Sequence, residues 1–403
     1  VREKGEQLTA CGIVAEYNPF HNGHLLHMNQ ARAKSGADVI VVVMSGNFLQ
    51  RGEPALVDKW KRTAMALAGG ADLVVELPTV FAVQPADYFA KGAVATLQAL
   101  NCSSMSFGTE NGTDKDFEQA GRWYHEHATH IDAYMKKTKN AGASYPVQMA
   151  QAMESFSPSF TFDLSSPNNQ LGFAYARENA SYPHPMALHT VLRKGSQYHD
   201  TKLGDGAIAS ATAIRQALFD SADEYALDSV SSFLPPSTFH LLQHASLAGW
   251  EDFWTLLQYQ LTVRPTEELR NIYQMSEGIE HRLKKEAFES RSFHEFVTRV
   301  KTKRYTWTRL QRLAVYTLLQ LTDDAVKDEF SSLRAVRVLG FTPKGQQYLN
   351  QQKNQMTVPL ITNINKKNQT LVKTDILSGK VYRLHQFDKV ETQDFFRQPI
   401  RYS

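Results

Sequence analysis

A chain of 403 residues with 42% hydrophobic and 21% charged side chains has the composition of an ordinary globular protein, with room for two or three domains. Its formal charge of +3, from 44 basic and 41 acidic residues, is too mild to mark a nucleic-acid binder unless basic residues cluster locally. Cys11 and Cys102 form no CxxC, no apolar run approaches the ~20 residues of a membrane span, and no signal peptide is recognisable; a disulfide framework, structural zinc and a membrane location are disfavoured, and a soluble cytoplasmic protein is expected.

Strands and helices alternate over residues 9–110. The β-prone "ACGIVAEY" leads into a helix, "NGHLLHMNQARAKSG", that should end at Gly36. "DVIVVVMS" is a second strand, "DKWKRTAMALAGG" a second helix, "ADLVVEL" a third strand, "DYFAKGAVATLQAL" a third helix and "SSMSFGT" a fourth strand. Continuous apolar strands between helices predict an α/β fold with a parallel sheet covered on both faces. Ligands bind such sheets beyond the carboxyl ends of the strands. "NPFHNGH", "SGNFLQRGEP" and "GTENG" all follow strands, so they should converge on one edge. Residues 114–185 read as mainly helical, "HPMALHTVLRK" as a returning strand, and a polar loop then enters a helix at about Thr212. This sets a first domain at 9–225. From 226 to 340 the apolar spacing is helical, as in "TWTRLQRLAVYTLLQL", and 341–403 is a small mixed segment.

No GxxxxGKS/T, GxGxxG after a strand, HExxH or GxSxG occurs, which weakens readings as a P-loop ATPase, dehydrogenase, zinc protease or ordinary serine hydrolase. "NPFHNGH" instead puts His21 and His24 at a strand–helix junction, with Gly23 between them for close backbone approach. A helix N-terminus offers free N–H groups and partial positive charge, which suit phosphate. The two imidazoles would share one face of the first turn and donate hydrogen bonds to phosphoryl oxygens as charge develops. The other reading is a pair of surface histidines capping a helix, with or without a metal. "SATAIR", with Ser210, Thr212 and Arg215, opens a later helix; alone it could be an ordinary N-cap followed by an arginine.

"HNGH" resembles the HxGH signature of the nucleotidyltransferase and class I aminoacyl-tRNA synthetase superfamily, and "SATAIR" stands where that superfamily carries a Ser/Thr loop with a basic residue. The resemblance implies a Rossmann-like sheet that binds ATP and attack on the α-phosphate with release of pyrophosphate. "GIVAEYNPFHNGHLLH", "MSGNFLQRGEPALVDKWKR", "GADLVVELP", "FGTE", "PNNQLG", "YHD", "SATAIR" and "RVLGFTPKG", between residues 12 and 345, together resemble the tRNA(Met) cytidine acetate ligase family of bacteria. That implies activation of acetate as acetyladenylate, then acetylation of the exocyclic amine of the wobble cytidine of elongator tRNA(Met).

By matching position, the resemblance makes His21, Gly23 and His24 hold the ATP phosphates, with Ser210, Thr212 and Arg215 joining the two histidines in catalysis. The backbone of Ile13, Val14, Ala15, Glu16, Tyr17, Asn18, Pro19 and Phe20 would line the nucleotide pocket, with Asn22 and Leu25 beside them. Gly108, Asn168 or Asn169, and Arg193 would complete it; in "TVLRKGSQYHD" Arg193 fits best but Lys194 could serve. Mg²⁺ should accompany ATP, without a metal site of the protein's own, and no protein partner is implied.

Other motif residues carry two readings each. Ser45, Asn47, Gln50, Arg51 and Glu53 could border acetate or cytidine, or form a solvated loop. Lys59 and Arg62, near a helix start where cations oppose the helix dipole, hint at a phosphate partner or lie on a solvated face. His199 and Asp200 lean to a structural loop, His27 to packing, and both cysteines to burial. The segment 282–312 carries ten basic residues against three acidic ones, with Tyr305 and Trp307 among them. Lys284, Lys285, Arg299, Lys301, Lys303, Arg304, Arg309 and Arg312 are its candidate tRNA contacts, since cations meet phosphates and aromatics stack on unpaired bases; the other reading is a solvated helix face with core aromatics. Two rivals are a small-metabolite adenylyltransferase and a non-catalytic nucleotide- or tRNA-binding protein on the same sheet.

Overall fold

The computed structural model describes residues 7–138, 148, 151–152, 155, 162–193, 208–220, 226–385 and 392–403. Five parallel strands form the heart of one sheet: β1 (Ala10–Ala15), β2 (Val39–Ser45), β3 (Leu73–Leu77), β4 (Ser104–Thr109) and β5 (Ala187–Leu192), in the order β5-β4-β1-β2-β3. Helices α1 (Asn22–Ser35), α2 (Lys59–Ala68) and α3 (Ala86–Ala99) connect the first four strands, while α4 (Asp114–Thr138) and α5 (Pro167–Ala180) precede β5. The chain runs outward from β1 to β3, then crosses back to place β4 on the other side of β1. The sheet therefore has its switch point between β1 and β4, where a crevice opens.

Burial on both faces explains the apolar strands. Val39, Val41 and Val43 of β2 join a core with Phe89, Leu97 and Phe173. The alternate residues Ile40, Val42 and Met44 join another with Phe20, Met28 and Met65 from the α1–α2 side, as the two-residue period of a strand requires. Gly36 closes α1 in the left-handed conformation, as expected for a helix C-terminus.

Beyond α6 (Ala211–Asp220), the helical region includes α7 (Trp250–Val263), α8 (Ile279–Glu289), α9 (Phe293–Val300) and α10 (Trp307–Leu318). Its core of Phe253, Leu257, Leu283, Phe296 and Leu313 also takes in Phe48, from the loop after β2. At Gly52 of that loop, φ is +78°, and a Cβ would lie 2.3 Å from the backbone nitrogen of Arg312. Only glycine lets the loop touch α10 so closely.

The expected boundary at 340/341 falls inside a strand. β6 (Val336–Phe341) pairs antiparallel with β3, and β7 (Leu360–Ile361) and β8 (Ile400–Arg401) pair with β6. The terminal segment thus extends the sheet and covers the edge that β3 would otherwise expose. Its last helix, α11 (Lys373–Tyr382), sends Tyr382 into the helical core.

Candidate active site

A cavity of about 260 Å³ opens at the switch point. Glu16, His21, Gly23 and His24 line it from the β1–α1 turn, Gln50, Arg51 and Glu53 from the loop after β2, and Gly108 from β4. Asn168, Arg193, Ser210, Thr212 and Arg215 complete the polar wall. The three post-strand segments converge as expected.

His21 is the N-cap of α1, and its Nδ1 accepts the Gly23 N–H at 3.0 Å. His24 Nδ1 accepts the His21 N–H at 3.3 Å, which closes a reciprocal capping box. A backbone N–H only donates, so both Nδ1 atoms are acceptors and each neutral ring carries its proton on Nε2. The two rings lie 3.8 Å apart between centroids, and Tyr17 and Phe20 pack against His24. Burial, then Arg193 and Arg215, push the His21 pKa down to about 3. Burial, then His21, holds His24 well below the usual histidine range. The pair are neutral hydrogen-bond donors at physiological pH. Gly23 makes this possible: a Cβ there would come within 2.8 Å of the His21 ring.

A second helix start faces the same space. Ser210 Oγ accepts the Ala213 N–H at 3.0 Å, capping α6. Arg215, one turn on, donates to the Asn18 carbonyl at 2.9 Å and to Glu53 Oε2 at 2.9 Å. It ties the first two loops together while still lining the cavity.

Between the two asparagines, the geometry is unequal. Asn168 lines the cavity and accepts from Arg193 at 3.2 Å. Asn169 is fully buried: its Nδ2 donates to Asn111 Oδ1 and the Asp163 carbonyl, and its Oδ1 accepts the Glu110 N–H. Lys194, His199 and Asp200 lie outside the described residues. Val14, Ala15, Tyr17 and Asn18 line the cavity, whereas Ile13 and Phe20 belong to the core, Leu25 packs beside it, and Asn22 bonds the Ser232 carbonyl. Pro19 is buried away from the cavity wall.

Several motif residues serve the fold instead. Lys59 is fully buried, 2.7 Å from Glu76 and 2.8 Å from Asp394. Arg62, also fully buried, donates to the carbonyls of Glu16, Ser45, Gly46 and Val57. Neither lines the cavity or faces solvent. Ser45 and Asn47 are buried as well, and Asn47 accepts the Lys59 N–H and donates to Gln393. His27 does line the cavity, with Nε2 3.1 Å from Ser106 Oγ. The apolar wall of Leu26, Phe89, Phe107, Leu171 and Tyr175 carries no local motif that sequence reasoning could have used.

The basic segment divides. Lys284 donates to the carbonyls of Leu261, Thr262 and Arg264, capping the end of α7. Arg299 pairs with Glu286, Glu289 and Glu295. Arg304 pairs with Glu277, and Arg312 reaches the Gln50 carbonyl from a largely buried position. Tyr305 is buried, donating to the Ser276 carbonyl, with Arg309 4.3 Å over its ring; it is not open to a base. Trp307 packs partly against the helical core. Lys285, Lys301 and Lys303 are exposed and form no ion pair among the described residues.

The chain is similar to known proteins over nearly its whole length. The tRNA(Met) cytidine acetate ligases of Lysinibacillus sphaericus and Bacillus velezensis are 40% and 42% identical to this chain, each over 98% of it and over 100% and 98% of the relative. The apo crystal structure of Thermotoga maritima TmcAL superposes with a TM-score of 0.88 at 29% identity, covering 98% of this chain and 99% of that one. The form of that protein bound with alpha-thio ATP gives a TM-score of 0.87 at 28% identity, covering 98% and 100%. The sequence also matches the HIGH nucleotidyl transferase family across residues 8–396. The histidine turn, the second helix start and the whole-length likeness agree: the chain belongs to the HIGH nucleotidyl transferase family and, within it, to the tRNA(Met) cytidine acetate ligases.

Proposed function

We propose that this enzyme activates acetate with ATP and acetylates the exocyclic amine of the wobble cytidine of elongator tRNA(Met), giving N4-acetylcytidine. The observation that carries the chemistry is the pair of neutral histidines, locked as Nε2–H donors in a cavity that two helix N-termini and three arginines also face. The relatives' shared name supports the substrate, and the nucleotide-bound Thermotoga structure supports ATP.

In the first step an acetate oxygen attacks the α-phosphorus, and the bond to the β-phosphate breaks. Negative charge moves onto pyrophosphate. The His21 and His24 donors, the starts of α1 and α6, Arg193 and Arg215 stabilise it without reorganisation. No covalent protein nucleophile is needed, because acetate is the nucleophile. Among the described residues, no group of three or more His, Cys, Asp or Glu side chains could hold a metal. Mg²⁺ would enter on the phosphate oxygens of ATP, as part of the substrate.

The cytidine must leave its stack to reach the cavity, with the helical region gripping the anticodon stem. Lys285, Lys301 and Lys303 would meet its phosphates; Lys284, Arg299, Arg304, Arg309 and Arg312 are engaged within the protein. The test is acetate-dependent exchange of labelled pyrophosphate into ATP, followed by addition of tRNA(Met). Exchange that requires acetate, with acetyl label passing to the tRNA, supports the reading. ATP binding without either reaction contradicts it.

A further inference from the structure

Forming the amide releases a proton from the cytidine amine, and the cavity must hold an acceptor for it. The two signature histidines are unsuited: each Nδ1 is already bonded to a backbone N–H, so each ring faces the cavity chemistry only as a donor. His27 has its Nε2 against Ser106 Oγ. Among the described residues lining the cavity, the carboxylates are Glu16 and Glu53. Glu53 is bound to Arg215 at 2.9 Å.

Glu16 differs. It stands just past the end of β1, the strand at the switch point. Its Oε1 accepts the Gln50 N–H at 2.7 Å, which fixes the carboxylate without neutralising it. Arg62 holds the Glu16 backbone through its carbonyl at 2.6 Å. We propose that Glu16 is the catalytic acceptor of the amine proton in acetyl transfer. This rests on the proposed function and assigns the base within that site. The amine nitrogen attacks the carbonyl carbon of acetyladenylate and the C–N bond forms. The C–O bond to the phosphate breaks, AMP leaves with the electron pair, and the nitrogen's proton passes to the Glu16 carboxylate.

The electrostatics agree. Burial, opposed by the Gln50 N–H, raises the Glu16 pKa; Glu53 raises it further, and Arg215 and Arg51 lower it. Arg62, from α2, adds a nearby positive charge. A carboxylate raised in this way is a better base near neutral pH than an exposed one. The transfer rate should therefore climb with pH through the raised Glu16 pKa and then level off.

The two half-reactions separate this proposal from the broader reading. Pyrophosphate exchange reports adenylation, and mixing enzyme with synthetic acetyladenylate and tRNA(Met) reports transfer alone. For Glu16→Gln, which keeps an acceptor for the Gln50 N–H, the loss in transfer should exceed the loss in exchange by about 10²-fold, and the acid limb of the transfer profile should disappear. Glu16→Asp should retain a pH-dependent transfer rate between those of the wild type and Glu16→Gln, and it serves as the readout if Glu16→Gln does not fold. Equal losses in both half-reactions, or an acid limb that survives Glu16→Gln, would overturn the assignment. A wild-type enzyme with no acetate-dependent exchange would instead overturn the proposed function.

Discussion

Two groups of ionisable side chains sit at the same edge of the sheet and are treated in opposite ways. At the switch point, His21 and His24 are kept neutral, and Arg193 and Arg215 face a cavity of about 260 Å³. Behind β3, Lys59 and Arg337 meet Glu76 and Asp394, all buried, and Trp60 donates to the neighbouring Gln393 carbonyl. Lys59 and Arg337 hold Asp394 below the usual carboxylate range although burial acts the other way. The first group lines a cavity that a substrate can enter, although Arg215 is paired with Glu53 and Arg193 donates to Asn168. The second is closed by two cations against two carboxylates. Both draw residues from long polar motifs, so membership of a motif does not distinguish chemistry from support.

The comparison breaks most readily on the closed side. Lys59→Met leaves Glu76 and Asp394 short of a cation, and should cost about 3–5 kcal/mol of stability in denaturant unfolding. A loss below 1 kcal/mol would mean the cluster is not closed as described. On the open side, His24→Ala removes one preorganised donor. It should lower acetate-dependent exchange by roughly 10²–10³-fold while tRNA binding is retained.

The same contrast within the basic segment predicts smaller effects. Lys301→Ala and Lys303→Ala should each weaken tRNA binding and reduce the salt slope by about one unit per lost phosphate contact. Arg299→Ala, whose charge is already met by three glutamates, should leave that slope unchanged. Equal effects from all three would erase the distinction between open and engaged cations.

The smallest effect concerns Asp375, beside the closed cluster. Burial, then Glu76, pushes its pKa up to about 7, and it accepts the Thr79 N–H at 2.6 Å. Its folded-state pKa lies above the unfolded value of about 3.9, so the native state binds the proton more tightly. Its contribution is therefore fully present below pH ~4 and is lost as pH rises through 7. Asp375→Asn should flatten the stability profile across that window and relatively favour the variant at pH 8, as thermal unfolding at several pH values will show.

The open site was largely legible in the sequence, because its signals are local. A strand, a turn with two histidines and a helix lie within residues 10–35, and their spacing states the geometry. The closed cluster was not legible: Lys59 and Asp394 are 335 residues apart, and nothing near Lys59 announces its partner. Helix-dipole reasoning made Lys59 and Arg62 phosphate candidates, but tertiary carboxylates and carbonyls claimed them. Asn168 and Asn169 were equivalent on paper; only the start of α5 turns one outward and buries the other. Tyr305 read as a stacking platform because burial is invisible in a basic stretch. The strand Val336–Phe341 was missed as part of the sheet because its pairing with β3 spans hundreds of residues.

The most direct test of the whole account is nucleoside mass spectrometry of tRNA(Met) after incubation with the enzyme, ATP, Mg²⁺ and isotope-labelled acetate. Labelled N4-acetylcytidine is expected at the wobble position, with AMP and pyrophosphate formed alongside, and all three lower by roughly 10²–10³-fold with the His24→Ala variant. Unmodified cytidine with the wild type, or label found only when acetyladenylate is supplied preformed, would contradict it.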